Sequence, residues 1–247
     1  IALGRPWSVE KEGMPFCIRA NRPVTPQMMA EILSSHYEGT RDCCAHFGPG
    51  LSPHDASSIR YICTGTTLES DLFILRDDPK LTTVMSSFGR PCQLPYVALH
   101  PLLAQPDALD PMADASGRME NHLAPETGAS CWRNTPWWRM RAFETQAELL
   151  FSDVSGGLRA LMERMLAQGL ESDARLCEKL AVLLAEGDEA EARKTAEQAD
   201  DSALHAALHT LEEYARTNFA AVRLSLPMTL SVCPQEGERV RAVFHTA

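Results

Sequence analysis

Residues 61–99 constrain this chain most, because they hold two β-rich runs with no helix-forming stretch between them. In the first run, extended backbone puts Leu68, Leu72 and Ile74 on one face and Glu69 and Asp71 on the other. Phe73 and Leu75 make its end two-sided. Asp77, Asp78 and Pro79 suit a turn, since short acidic side chains accept bonds from nearby amides and proline pre-sets its own φ. The second run is Leu81 to Phe88, stopped by Gly89, Arg90 and Pro91, and Tyr96 to Leu99 resumes as a short strand between Pro95 and Pro101. An antiparallel hairpin in mid-chain, with helices on both sides, predicts the α+β class.

Helix signals flank this hairpin. Thr25 caps a helix over about residues 26–37, with Pro26 in its first turn and Met28, Met29, Ile32 and Leu33 as its apolar stripe. Beyond Pro136, Phe143, Ala147, Leu150, Val154, Leu158, Leu161 and Met165 recur at steps of four and three, one face of an amphipathic helix. Gly156 and Gly157 interrupt it, which predicts a bend or the close packing of a neighbour. Leu176 to Leu184 reads as a second helix ended at Gly187, and Asp188 caps a third to about Ala199. A fourth starts at Asp200 or Asp201 and buries Leu204, Leu208, Leu211, Ala215 and Phe219. The tail is expected to add one or two short strands around Gly237. Residues 1–128 form the sheet-containing portion in this reading, and 129–247 the mainly helical portion.

The acidic balance, 33 Asp plus Glu against 23 Lys plus Arg, offers no basic cluster to neutralise a phosphate backbone, so nucleic acid is not an expected partner. No window approaches the roughly 20 apolar residues that span a bilayer, and Arg5, Glu10, Lys11 and Glu12 stand where a signal peptide needs an apolar core. A soluble, cytoplasmic protein without a membrane partner is the expectation. The chain opens on Ile1 rather than Met, which is read as a processed product, a cloned piece or the remainder of something longer.

Eight cysteines, at 17, 43, 44, 63, 92, 131, 177 and 233, include no Cys-x-x-Cys pair, and free, mostly buried thiols are the default. Cys63 and Cys92 could bridge across the sheet. The loop with Cys43, Cys44, His46 and His54 has metal-ligand residue types but no common zinc spacing, and His205 and His209, four apart on a helix, lack an evident third ligand. No metal, cofactor or catalytic residue is assigned from spacing. Trp132, Trp137 and Trp138 cluster after an irregular stretch over residues 100–128, as buried anchors or as a substrate or subunit wall.

Met14-Pro15-Phe16, the helix end His36-Tyr37-Glu38-Gly39-Thr40, Phe47-Gly48-Pro49, the hairpin from Thr66-Thr67-Leu68 to Arg90-Pro91-Cys92, Pro95-Tyr96-Val97 and Ser130-Cys131-Trp132 occur in an order that resembles dipeptidase A-type cysteine peptidases and their secernin relatives. The resemblance covers most of residues 14–220. It implies an N-terminal-nucleophile hydrolase with an αββα sandwich, of which this chain is the C-terminal part. In that chemistry a cysteine at the start of a chain uses its own α-amino group as base. Ile1 cannot attack, so the nucleophile is expected on a missing N-terminal segment or a second chain, leaving residues 1–247 inactive by themselves.

The implied activity is cysteine-type hydrolysis of dipeptides or small acyl-amino substrates, with a homo-oligomer as a further expectation. An absent segment is expected to leave Leu72, Ile74, Val84 and Phe88 exposed, or covered by a second copy. The alternatives are a non-catalytic, family-like interaction module, and a Cys/His enzyme that pairs Cys92 or Cys63 with His100. His36, Glu38 and Arg60, polar groups at element ends, are read as structural: His36 and Glu38 can satisfy the helix terminus and the loop after it.

Overall fold

The computed structural model describes residues 13, 19–38, 40, 52–55, 60–104, 136–219, 228–231 and 243–246. The expected strand near Pro15, the ligand types Cys43, Cys44 and His46, Trp132 and most of the 100–128 stretch lie outside them.

Strands β1 (Ser70–Ile74), β2 (Thr83–Ser87) and β3 (Val97–Leu99) form an antiparallel sheet in that order. Ser70 pairs with Ser87 and Ile74 with Thr83, while Val84 pairs with Leu99. The turn is a short 3₁₀ helix, Pro79–Leu81, and the Asp78 carboxylate accepts from the Lys80 amide as the residue types predict. Leu72 and Met85 face inward against Ala30, Tyr96 and Leu166. Leu68 differs from expectation: β1 begins two residues later, and Leu68 is exposed instead of sharing the buried face. Leu72 and Phe88, expected to be uncovered, are buried by this chain's own helices, whereas Phe73 and Leu75 face out.

Helix α1 (Pro26–Leu33) begins at Thr25, whose Oγ1 accepts from the Met28 amide at 3.2 Å. It ends four residues earlier than predicted. Ser34 turns its hydroxyl onto the Ala30 carbonyl, and Tyr37 adopts φ 60°, a left-handed conformation that breaks a right-handed helix. His36 therefore lies beyond the helix, free to turn toward the hairpin.

Beyond Pro136 the chain forms α2 (Pro136–Leu149), α3 (Phe151–Ala185) and α4 (Glu189–Tyr214), the last continuing as a π turn through Phe219. Three predicted boundaries shift. The interruption falls at Leu150, whose ψ of 14° leaves helical geometry, and not at Gly156-Gly157. Gly157 takes the second predicted role, close packing, because a Cβ there would meet the Tyr214 hydroxyl at 2.5 Å. The helix read at Leu176–Leu184 is the end of α3, and the helices read on either side of Asp200 are one. Asp200 is buried and turned to His100, so it does not cap a helix start. Gly187, at φ 81°, closes α3, and Asp188 caps α4 through the Glu191 amide as predicted.

One apolar cluster joins Phe88, Leu94, Val97 and Leu99 of the sheet region to Met140, Phe143, Leu158, Leu204 and Leu211 of the helices. The sheet and the helical region thus share a core. Strands β4 (Met228–Ser231) and β5 (Val243–Thr246) form the antiparallel pair expected in the tail. Among the described residues no helix is long and apolar enough to cross a membrane.

Candidate metal centre

Four segments that are remote in sequence deliver side chains to one end of the hairpin. His36 follows α1, His54 lies in the 3₁₀ turn Pro53–Asp55, Cys63 precedes β1, and Cys92 sits in the tight turn after β2. That last turn is set by the amides of Gln93 and Leu94, which both donate to the Arg90 carbonyl at 2.9 Å. The strand pairing then brings the chain before β1 beside the chain after β2. This is why Cys63 and Cys92 meet.

The contacts at the convergence are short. Nε2 of His36 lies 3.1 Å from Nε2 of His54. The sulfurs of Cys63 and Cys92 are 3.5 Å apart, and each faces His54 Nε2, at 3.7 Å from Cys63 and 3.4 Å from Cys92. One ligand-type atom from each of the four residues falls within 4.8 Å of all the others. A tetrahedral zinc with Zn–S near 2.3 Å and Zn–N near 2.05 Å would separate its two sulfurs by about 3.8 Å, sulfur from nitrogen by about 3.6 Å, and its nitrogens by about 3.3 Å. The four observed separations fall within about 0.3 Å of those edges. Soft thiolates with imidazoles are a donor set suited to zinc.

The outward nitrogens are also held. His54 Nδ1 donates to Glu148 of α2 at 2.8 Å, with Ser52 Oγ 2.9 Å away. Glu148 in turn accepts from Gln93 Nε2 at 2.6 Å and pairs with Arg90 Nη1 at 3.0 Å. Buried Glu144 receives the Arg90 amide and Nε, which fixes the Cys92 turn to α2. His36 Nδ1 faces Glu38 at 3.4 Å, and Glu38 also accepts from the His36 amide and pairs with Arg159. Each imidazole therefore turns Nδ1 to a carboxylate and Nε2 to the centre, the outer-shell arrangement of metal-bound histidines. The rings of Tyr61 and Phe151 stand edge-on to His36 and hold it in plane.

The electrostatics fit this arrangement. Burial opposes charge on His36 and on His54, but the Cys63 sulfur together with Glu38 or Glu148 outweighs it and raises both pKa values. The contact with the Cys92 sulfur, together with the two imidazoles, overcomes burial and lowers the Cys63 thiol. Burial and the Cys63 sulfur push the Cys92 thiol well up. Burial works against the Glu148 carboxylate as well, yet His54 and Arg90 hold it down to about 2. The site thus gathers sulfur and imidazole nitrogen, groups that give up protons to a bound cation.

Of the residues read from sequence, the structure unites His36, His54, Cys63 and Cys92. Glu38 satisfies the backbone after α1 as expected, while exposed Arg60 lends its carbonyl to the Tyr37 hydroxyl. His205 and His209 are exposed on α4. The pairing of Cys63 or Cys92 with His100 does not form; His54 occupies that place. His100 is bound instead between Asp200, 2.7 Å from Nδ1, and Asp173, 3.0 Å from Nε2. Sequence reasoning missed Glu148, Gln93 and Glu144. No local signal marks them; only the phase of α2 against the Cys92 turn would have. No family model, curated protein or solved structure matches the chain.

Proposed function

We propose that this chain is a zinc-binding α+β domain in which the ion is structural, held by His36, His54, Cys63 and Cys92. The convergence of four ligand atoms within 4.8 Å of one another, with the four separations given above near tetrahedral edges, carries this reading. Four protein ligands close the coordination sphere, so no position remains for a substrate or an attacking water. The ion would tie the end of α1 and the 52–55 turn to the open end of the hairpin, where the chain enters β1 and leaves β2. On the sequence resemblance to dipeptidase A-type peptidases, such an ion would belong to the scaffold of a cysteine-type amide hydrolase.

Elemental analysis of protein purified without chelator tests the reading, with one zinc per chain expected. Cobalt substitution should give the visible absorption of a tetrahedral ion and a thiolate charge-transfer band. Protein that binds neither ion under reducing conditions would overturn it. A second reading has its own observation: a thiol, His54 and Glu148 stand in the order of a Cys-His-acid triad. A triad needs one thiol and one imidazole, whereas two of each converge here. Rapid alkylation of a single thiol in zinc-saturated protein, together with dipeptide turnover, would favour the triad.

A further inference from the structure

We infer that Cys63 and Cys92 form a redox-modification site at which a disulfide and a bound zinc are mutually exclusive closures of the same centre. The inference rests on the zinc reading and adds a chemistry to it. The two sulfurs are 3.5 Å apart, and a disulfide requires about 2.05 Å, so the side-chain tips need to approach by only about 1.5 Å. The Ser70–Ser87 pair holds the turn before β1 and the turn after β2 at the same end of the sheet, which keeps the two cysteines together. No third sulfur among the described residues competes: Cys177 lies on α3 among Asp173, Thr83 and His100.

The exclusion follows from coordination chemistry. Zinc draws on both sulfurs as thiolates, and a disulfide has no thiolate to give. Closing the bond would leave His36 and His54 alone, half of a tetrahedral set. The oxidant is a small disulfide. One thiolate attacks it and expels one thiolate of the reagent, forming a mixed disulfide, and the second cysteine then displaces the other. Two protein thiols are oxidised to one disulfide, the reagent is reduced to two thiols, and Zn²⁺ leaves as the thiolates are consumed. Bound zinc ties up those attacking electron pairs, so the metal protects against the oxidant and the oxidant displaces the metal.

Zinc-loaded protein treated with oxidised glutathione tests this, with released metal read by a chromophoric chelator and linkage by peptide mapping. The expected result is one zinc released for each Cys63–Cys92 linked peptide, a rate of linkage at least tenfold slower in excess free zinc, and recovery of binding on reduction. Linked peptide in protein that keeps its zinc, linkage at a rate indifferent to free zinc, or release without the linked peptide would each overturn the exclusion. Mapping separates this pair from any disulfide among the other cysteines. Failure of the zinc reading is a distinct observation, made before oxidant is added: reduced protein that holds no zinc.

Discussion

Glu148 lies 94 positions from His54 in sequence and 2.8 Å from its Nδ1 in space. The carboxylate sets which imidazole nitrogen carries the proton and aims the other at Cys63 and Cys92. Because it also accepts from Gln93 and pairs with Arg90, it couples α2 to the Cys92 turn. The centre is therefore braced by the helical region as well as by the hairpin.

Glu148→Gln keeps the shape of that side chain but removes the charge that makes His54 a stronger donor. Zinc affinity should fall about 10- to 100-fold, the effect typical of an outer-shell partner. Competition against a chelator of known affinity measures it. Affinity equal to the wild type would show that Glu148 braces the fold without tuning the ligand.

His100 supplies a separate, pH-dependent element of stability. Burial opposes its charge, but Asp173 and Asp200 outweigh that and raise its pKa to about 11. A group raised in the folded state contributes fully below its unfolded pKa, here near 6.5, and the contribution is lost as pH climbs toward 11. Unfolding free energy should therefore fall between those limits, by at most about 1.4 kcal/mol per pH unit from this group. His100→Gln should flatten that slope and cost about 3–5 kcal/mol near neutrality, because it leaves buried Asp200 without its cation and Asp173 with Arg76 alone. Chemical denaturation across pH compares the two proteins, and parallel slopes would assign the pH dependence elsewhere.

The adjacent glycines of α3 make opposite predictions. Gly156 has open space where a Cβ would go, so Gly156→Ala should stabilise the helix by about 1 kcal/mol through propensity alone. At Gly157 the new methyl would meet the Tyr214 hydroxyl, which lies 3.4 Å from the Val154 carbonyl at the end of a ring packed edge-on against Phe143 and Phe219. Gly157→Ala should lose that seating and be the less stable variant of the two. Thermal melts of both decide it; equal gains would mean that Tyr214 moves aside freely.

Much of the frame was legible because it rests on local chemistry. The alternation around Leu72, the Asp78 turn, the Thr25 and Asp188 caps and the stop at Gly187 are each written within a few residues. What escaped is long-range. The break read at Asp200 is absent from α4 because Asp200, read as a cap, serves His100 across the core, and the α2–α3 break falls at Leu150, an ordinary member of the apolar stripe. The centre escaped for the same reason. Its ligands are separated by 17, 8 and 28 residues, so no short motif records them. Only the strand register and the early end of α1 at Ser34 bring them together.

A structural ion predicts that stability, not chemistry, follows the metal. Binding to the folded state alone stabilises it by mass action, about 4 kcal/mol when free zinc exceeds its dissociation constant 1,000-fold. Chelation should lower the melting temperature, and readdition of zinc or cobalt should restore it. Magnesium should not, because it is a hard cation that prefers oxygen ligands to thiolates. Cys92→Ser removes one sulfur while leaving the turn bonds to the Arg90 carbonyl available, so its melting temperature should become nearly independent of added zinc. Acid should act like the chelator, since protons compete for the same sulfurs and nitrogens, and binding should strengthen as pH rises toward neutrality. A melting temperature unmoved by chelator in the wild type, with zinc shown to have left, would mean that the four side chains meet without the fold depending on what they hold.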